Sequence, residues 1–309
     1  MAKNYSTISS LFTDIADAIR DKGNTTDLIM ASAFPEAILA INCYSDDDEQ
    51  ESSDTTWMKI AGRSFTNVTN RTVTTIGPYA FYKCKTLETV SFAACTSIGS
   101  NAFANCSSLA SVNFTNCKTI GSSAFSGCTG LTSISFPKCT YIHPYGFYHC
   151  SNLNSVDFPS CSLVGFYTFT YCSALVSIAL PACKTIQNNA FDNCHSLISI
   201  NLPVCTSVAS NAFNFCTALA TANFPACTTI GSSAFKYCRN LSALYLNNSV
   251  VCALSNSNAF ATTPYAGYSS YFSGTPYIYV PSSLITSYQT ARNWSYFSSY
   301  FSAIENAPT

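Results

Sequence analysis

Beyond residue 60 the apolar positions return on a fixed step. Leu87, Ile98, Leu109, Ile120, Leu131, Ile142, Leu153 and Val164 stand at every eleventh position, and the series runs on to Leu241. Phe92, Phe103, Phe114, Phe125, Phe136, Phe147, Phe158 and Phe169 keep the same step, as do the cysteines from Cys84 to Cys238. Such a period can build a right-handed coiled coil. Here Pro137, Pro159, Pro181, Pro203 and Pro225 would each break a helix interior. Alternate halves also differ, so the true repeat is twice as long. One half reads Cys-x-x-Leu-x-x-Val-x-Phe, as in Cys128 to Phe136; the other reads Cys-Thr-x-Ile-Gly-Ser-x-Ala-Phe, as in Cys227 to Phe235.

The first half predicts a short strand, because Ile134 and Phe136 stand two apart and share one face. The adjacent Ala and Phe of the second half, after a Gly turn, predict an irregular or short helical return. One such unit cannot bury its apolar face alone, but stacked units can, which defines a solenoid. About eight coils fit between Ile76 and Leu254, a stack roughly 40 Å long at the usual strand spacing.

Ile120-Gly121-Ser-Ser-Ala124-Phe125-Ser-Gly-Cys128-Thr-Gly-Leu131-Thr-Ser-Ile134-Ser-Phe136-Pro137 resembles the coil of the BspA-like leucine-rich repeats. The resemblance spans residues 58–309. It implies an α/β repeat fold: a leucine-rich-repeat solenoid of short parallel strands, with a small N-terminal helical segment and a C-terminal strand-helix cap. The coil at Tyr141-Ile142-His143-Pro144-Tyr145-Gly146-Phe147 departs from the pattern, with His-Pro at the Gly turn and Gly for Ala.

The flanks divide the chain into residues 1–44, 45–57, 58–254 and 255–309. Residues 6–22 carry Ile8, Leu11, Phe12, Ile15, Ala16 and Ile19 on one helical face, and Gly23 ends the pattern. The string from Asp14 to Asp27, with Phe34-Pro35-Glu36, is similar to a segment of phage tail-associated and mobile-element proteins of gut bacteria, which implies docking or oligomerisation. The run from Asp46 to Asp54 repels itself and reads as a solvated linker. After Phe260 the period fails. Tyr277 to Val280 reads as a last strand, and residues 282–304 as a helix with Ser282 or Ser283 as its N-cap.

Charge sharpens the boundary. Of 15 acidic residues 11 precede residue 60, where only four basic ones stand, so the remainder has a net charge of +6. The whole chain carries −1, which gives no general basic surface for nucleic acid. No apolar run is long enough to predict membrane insertion, and the N-terminus lacks the apolar core of a secretory signal. The 17 cysteines lack Cys-x-x-Cys spacing, so they read as reduced core thiols rather than a metal site, in a chain that folds in a reducing cytosol. No nucleophile elbow, phosphate loop or His-Glu-x-x-His motif stands in the sequence, and no cofactor is called for.

The outward column Thr89, Ser111, Ser133, Ser155, Ser177, Ser199 and Thr221 predicts a polar, uncharged sheet face. A sharper candidate lies in the middle coils. Tyr141, His143, Tyr145, Tyr148, His149, Phe166, Tyr167 and Tyr171 occupy positions where other coils hold Ser, Asn or Ala. Such rings offer rigid amphipathic contact area for a sugar or a protein, and Thr170 is expected beside Tyr171 in the same patch. The sequence therefore reads as a non-enzymatic binding protein. Its first form is a phage or mobile-element virion appendage, a tail or head fibre. Residues 1–44 would join the virion or self-associate, and the solenoid would contact a host-cell surface glycan or protein. A virion decoration protein without a receptor and a bacterial surface adhesin are the other two forms.

Overall fold

A computed structural model describes residues 66–71, 73–267 and 275–307, with strands also placed at Asp27–Ile29, Ile41–Asn42 and Met58–Lys59. The helix expected over residues 6–22 and the acidic linker lie outside the described residues. Asp27–Ile29 pairs in parallel with Asn67–Asn70, and Ile41–Asn42 pairs in parallel with Met58–Lys59.

The chain winds as a parallel β-solenoid of about 10 turns. Its first ladder holds strands of three to four residues. Ser133–Ser135 pairs with Ser155–Asp157, and that strand with Ser177–Ala179, so these strands meet their equivalents in the next coil. Strand pairing is interrupted after Ser111–Asn113 and after Ser177–Ala179, which divides this face into three sheets. This face runs longer than the eight coils expected. Asn67–Asn70 extends its first sheet at one end, and Tyr277–Val280 and Phe301–Ala303 extend its last sheet at the other. A second ladder of two-residue strands runs from Thr75–Ile76 to Ala253–Leu254. Inward residues of both ladders, such as Ile134, Ile142 and Val156, are buried.

The return segment is a third ladder rather than a helix. Tyr145, Phe147 and His149 donate their N–H groups to Phe166, Thr168 and Thr170 of the next coil, each at 2.9 Å. Donors spent on the neighbouring coil are lost to an i−4 helix bond. The geometry needs a left-handed residue twice per coil, four apart: Asn101 and Asn105, Tyr145 and His149, Tyr167 and Tyr171, Asn189 and Asn193. The corner before this segment is tight. A Cβ on Gly231 would lie 2.4 Å from the Ser210 backbone nitrogen, and one on Gly121 2.7 Å from the Gly99 carbonyl carbon. The departing coil adapts in turn: at Gly146 a Cβ would sit 2.7 Å from Ile142 Cγ2, so the usual Ala has no room.

Two phenylalanine columns fill the interior. Phe81, Phe103, Phe125, Phe147 and Phe169 stack with centroids 4.9–5.4 Å apart and planes within 6°. Phe114, Phe136 and Phe158 form the second column, tilted against the first by 58–68°. Parallel rings so spaced are offset, the arrangement the ring quadrupole favours. Each such pair contributes about 0.5–1.5 kcal/mol beyond burial.

The cysteines form two thiol ladders. Cys106, Cys128, Cys150 and Cys172 donate from Sγ to the carbonyls of Phe81, Phe103, Phe125 and Phe147, at 2.9–3.2 Å. Cys117, Cys139 and Cys161 donate to the carbonyls two positions on, at 3.2–3.3 Å. A small apolar side chain with a weak donor fits a core position facing a backbone oxygen. Fifteen cysteines, from Cys95 to Cys252, are free and buried. Among the described residues Cys84 is the exception: it is disulfide-bonded, not the reduced thiol expected.

The C-terminal cap differs from the single helix expected. Residues 282–284 make a 3-10 turn, Ile285–Thr290 is helical, and Trp294–Tyr300 is 3-10. Ser282 and Ser283 stand inside the first turn, and Pro281 takes the N-cap position. The helix ends at Ala291, whose backbone is extended. Asn293 then starts the next segment with a left-handed backbone and donates through Nδ2 to the carbonyls of Leu254 and Ser255, at 2.7 and 3.1 Å. Trp294 is thereby buried, with Nε1 on the Cys252 carbonyl at 2.6 Å. Among the described residues no helix is long and apolar enough to cross a membrane.

Candidate functional site

The left-handed positions project side chains along one edge of the solenoid. Of the eight coils from Tyr79 to Tyr237, three fill both positions with Asn, Ser or Gly: Asn101 and Asn105, Ser123 and Gly127, Asn189 and Asn193. Asn and Gly tolerate that backbone best. The middle coils fill them with Tyr145, His149, Tyr167 and Tyr171, at φ of 56° to 62°. A bulky residue held there costs on the order of 1–3 kcal/mol, a cost that clusters at functional sites.

Five of the eight candidate rings form one connected network. Tyr145 and Tyr167 stack at 5.0 Å with planes 1° apart. Tyr148 meets Tyr145 edge-on at 5.5 Å and Tyr171 edge-on at 5.9 Å. His149 stacks on Tyr171 at 4.4 Å. Tyr145 and Tyr171 are 38 % and 41 % exposed. Ser123 and Gly127 fill the matching positions one coil earlier, so Tyr145 and His149 form a step at that end. Tyr141 and His143 make a separate pair at 4.3 Å. Phe166 is exposed and joins through its carbonyl, which accepts the Tyr145 N–H. Thr170 is not part of the patch: it is buried, with its hydroxyl on the Asn189 carbonyl at 2.5 Å.

One carboxylate borders the network. Asp192 accepts amide N–H groups from Asn189, Asn193 and Asn214 at 3.2, 2.9 and 3.0 Å. Burial raises its pKa above the ordinary carboxylate value, and the Asn189 and Asn214 amides oppose that rise. Burial likewise raises the Tyr148 hydroxyl, with the charges of Tyr171, Tyr145 and Asp192 adding to it. The edge thus combines ring area with one half-buried acceptor and amide groups.

The sequence reading missed three ring clusters. Tyr79 meets Tyr82 edge-on at 5.5 Å, with Lys83 Nζ 5.5 Å from the Tyr82 centroid, in the register of Tyr145, Tyr148 and His149. Phe215 and Tyr237 stack at 4.2 Å, with Lys236 Nζ 5.0 Å from the Tyr237 centroid. They share the register of His149 and Tyr171, so comparison of whole coils finds them. Tyr245 and Tyr279 stack at 4.8 Å on the outer face of the strand ladder. The rest of that face is polar as expected, with Ser135 Oγ on Asp157 Oδ2 and Asn223 Nδ2 on Asn201 Oδ1, both at 3.0 Å.

A parallel solenoid whose coils each pair a Leu-x-x-Val-x-Phe strand with a ladder of turns is a leucine-rich-repeat protein. The chain belongs to the BspA-type leucine-rich-repeat family, whose profile matches residues 60–174 and 140–265. Several solved structures are similar to it. A Treponema pallidum leucine-rich-repeat protein is 24 % identical over 57 % of this chain and 78 % of its own, with a TM-score of 0.41. A leucine-rich cell surface protein of Faecalibacterium prausnitzii is 22 % identical over 71 % and 74 %, at 0.36. The pneumococcal vaccine antigen PcpA is 16 % identical over 77 % and 78 %, at 0.44. No curated protein matches the sequence.

Proposed function

We propose that this chain is a non-enzymatic binding protein that recognises a cell-surface glycan through the edge built by Tyr145, Tyr148, His149, Tyr167 and Tyr171. The observation that carries the reading is the ring network on left-handed backbone. Packing alone does not call for it, since neighbouring coils close the same ladder with Asn and Ser. Flat ring faces suit the C–H faces of sugars, and Asp192 with its amides suits hydroxyl groups. In this reading residues 1–44 hold the chain on a phage or mobile-element virion, and residues 45–57 give it reach.

The test is binding of the fluorescently labelled full chain to a panel of intact gut bacteria and to an array of their surface polysaccharides. Saturable binding that Tyr148→Ala and Tyr171→Ala each weaken at least tenfold supports the reading. Binding to cells that survives glycan removal and yields to protease makes the partner a protein. Binding to no strain by a folded chain sinks the receptor reading and favours decoration of the virion.

A further inference from the structure

We propose that Cys227 and Cys252 are a disulfide-forming site that fastens the C-terminal cap to the last repeat coil. Their sulfurs lie 3.8 Å apart, and both residues are free and buried. The pair arises from a break in register. Up to Thr229 each two-residue strand pairs with its equivalent exactly one repeat away, as Ser207 does with Thr229. The last step is longer by two positions, because Thr229 pairs with Ala253. Cys252 therefore sits opposite Thr228, one position closer to its strand than the ladder cysteines are to theirs. It also loses their partner. Cys205 and Cys227 donate to the carbonyls two positions on, at 3.4 and 3.3 Å. For Cys252 that carbonyl is Leu254, which accepts Asn293 Nδ2 instead. The Cys252 thiol has only distant contacts, the Ala253 oxygen and the Cys227 sulfur, both at 3.8 Å.

The backbone of Cys252 is where the cap attaches. Its N–H donates to the Tyr288 hydroxyl at 2.9 Å, and its carbonyl accepts the Trp294 indole N–H at 2.6 Å. A covalent bond to Cys227 would tie that point to the preceding coil. Closure needs the sulfurs to approach to about 2.05 Å, a shift within reach of side-chain rotation. The oxidant is a low-molecular-weight disulfide. The Cys227 thiolate, favoured by the Cys252 S–H that donates to it, attacks one sulfur and releases one small thiol. Cys252, deprotonated, then displaces the second small thiol from the mixed disulfide. Two electrons pass to the small disulfide, and the two cysteine protons end on its two thiols. Because both cysteines are buried, the reaction requires the cap to open.

The experiment incubates the native full chain with oxidised glutathione, then maps disulfides by mass spectrometry after acid quench. The expected result is a loss of two hydrogens in mass, a Cys227–Cys252 peptide link, and at least tenfold slower amide exchange at Cys252 and Trp294. Asn293→Ala, which loosens the cap, should speed the link several-fold in a chain that still folds. Cys252→Ser should abolish it, and Cys227→Ser serves if that variant does not fold. A link between ladder cysteines of adjacent coils, glutathione adducts without the internal link, or a reduced pair even in Asn293→Ala would each overturn the proposal.

Discussion

The left-handed edge can be tested without knowing its ligand by comparing Tyr171→Gly with Tyr171→Ala. Tyr171 has φ of 61°, and Gly127, at the matching position two coils earlier, has φ of 71°. Both variants lose the same ring and the same contacts to His149 and Tyr148, so their difference isolates the backbone. In ordinary helix or strand interiors Gly is worse than Ala by about 0.5–1 kcal/mol, because the unfolded chain gains freedom. At a left-handed position Ala bears about 1–2 kcal/mol of Cβ–carbonyl crowding that Gly escapes. The sum reverses the usual order and leaves Gly ahead by about 0.5–1 kcal/mol. Urea unfolding of both variants measures it, with amide exchange at Phe169 and Cys172 as a local check, since solenoids do not always unfold in one step. An Ala variant as stable as the Gly variant would refute the claim that the inter-coil bonds impose this backbone.

The thiol ladder predicts that Cys150→Ala costs about 1–2 kcal/mol, from lost burial and a lost weak donor to the Phe125 carbonyl. Cys150→Val restores apolar volume but not the donor, so a Val variant matching the parent in thermal unfolding would show that the donor is irrelevant. Alkaline pH should destabilise the solenoid. Burial pushes the Cys117, Cys150 and Cys205 thiols up to about 12 and Cys161 to about 11, from 9.0. A raised folded-state pKa means that the folded chain holds protons the unfolded chain has lost, so the stabilisation is complete below pH 9.0 and declines as pH rises toward 11 and 12. The slope is about 1.4 kcal/mol per pH unit for each such thiol. Urea midpoints that stay constant from about pH 8 to about pH 10.5 would contradict it.

The repeat was legible because burial imposes one residue type at one register. Ile or Leu in the strands and Phe in the two columns recur wherever the backbone repeats, and Pro137 and its equivalents excluded the helical alternative. The turn ladder was not legible. Its left-handed positions hold Asn, Ser, Tyr, His, Lys and Phe, because hydrogen bonds to the next coil set the conformation and local propensity does not. The cap helix failed for a related reason: Tyr288, Trp294 and Phe297 do reach the core, but from two segments that Asn293 separates. The central rings were found as departures from the repeat. Phe215 and Tyr237 were passed over because their register with His149 and Tyr171 shows only when whole coils are aligned. The Cys117 thiol and its equivalents meet a carbonyl only two positions on, but the carbonyl met by Cys106 and its equivalents belongs to the coil before, which no local window contains.

The sameness of those inter-coil bonds bears on how this molecule can change length. Each coil offers its neighbour on one side the donors that it receives from the other: Thr140 Oγ1 to the Lys118 carbonyl, Ser162 Oγ to the Thr140 carbonyl, Cys150 to Phe125 and Cys172 to Phe147. A whole coil can therefore leave or enter the middle of the stack and the new junction finds matching partners, with the cap untouched. The number of coils thus becomes a quantity that the loss or gain of one repeat can alter in a single event, moving the aromatic edge along the stack while the local chemistry of the edge stays as it is.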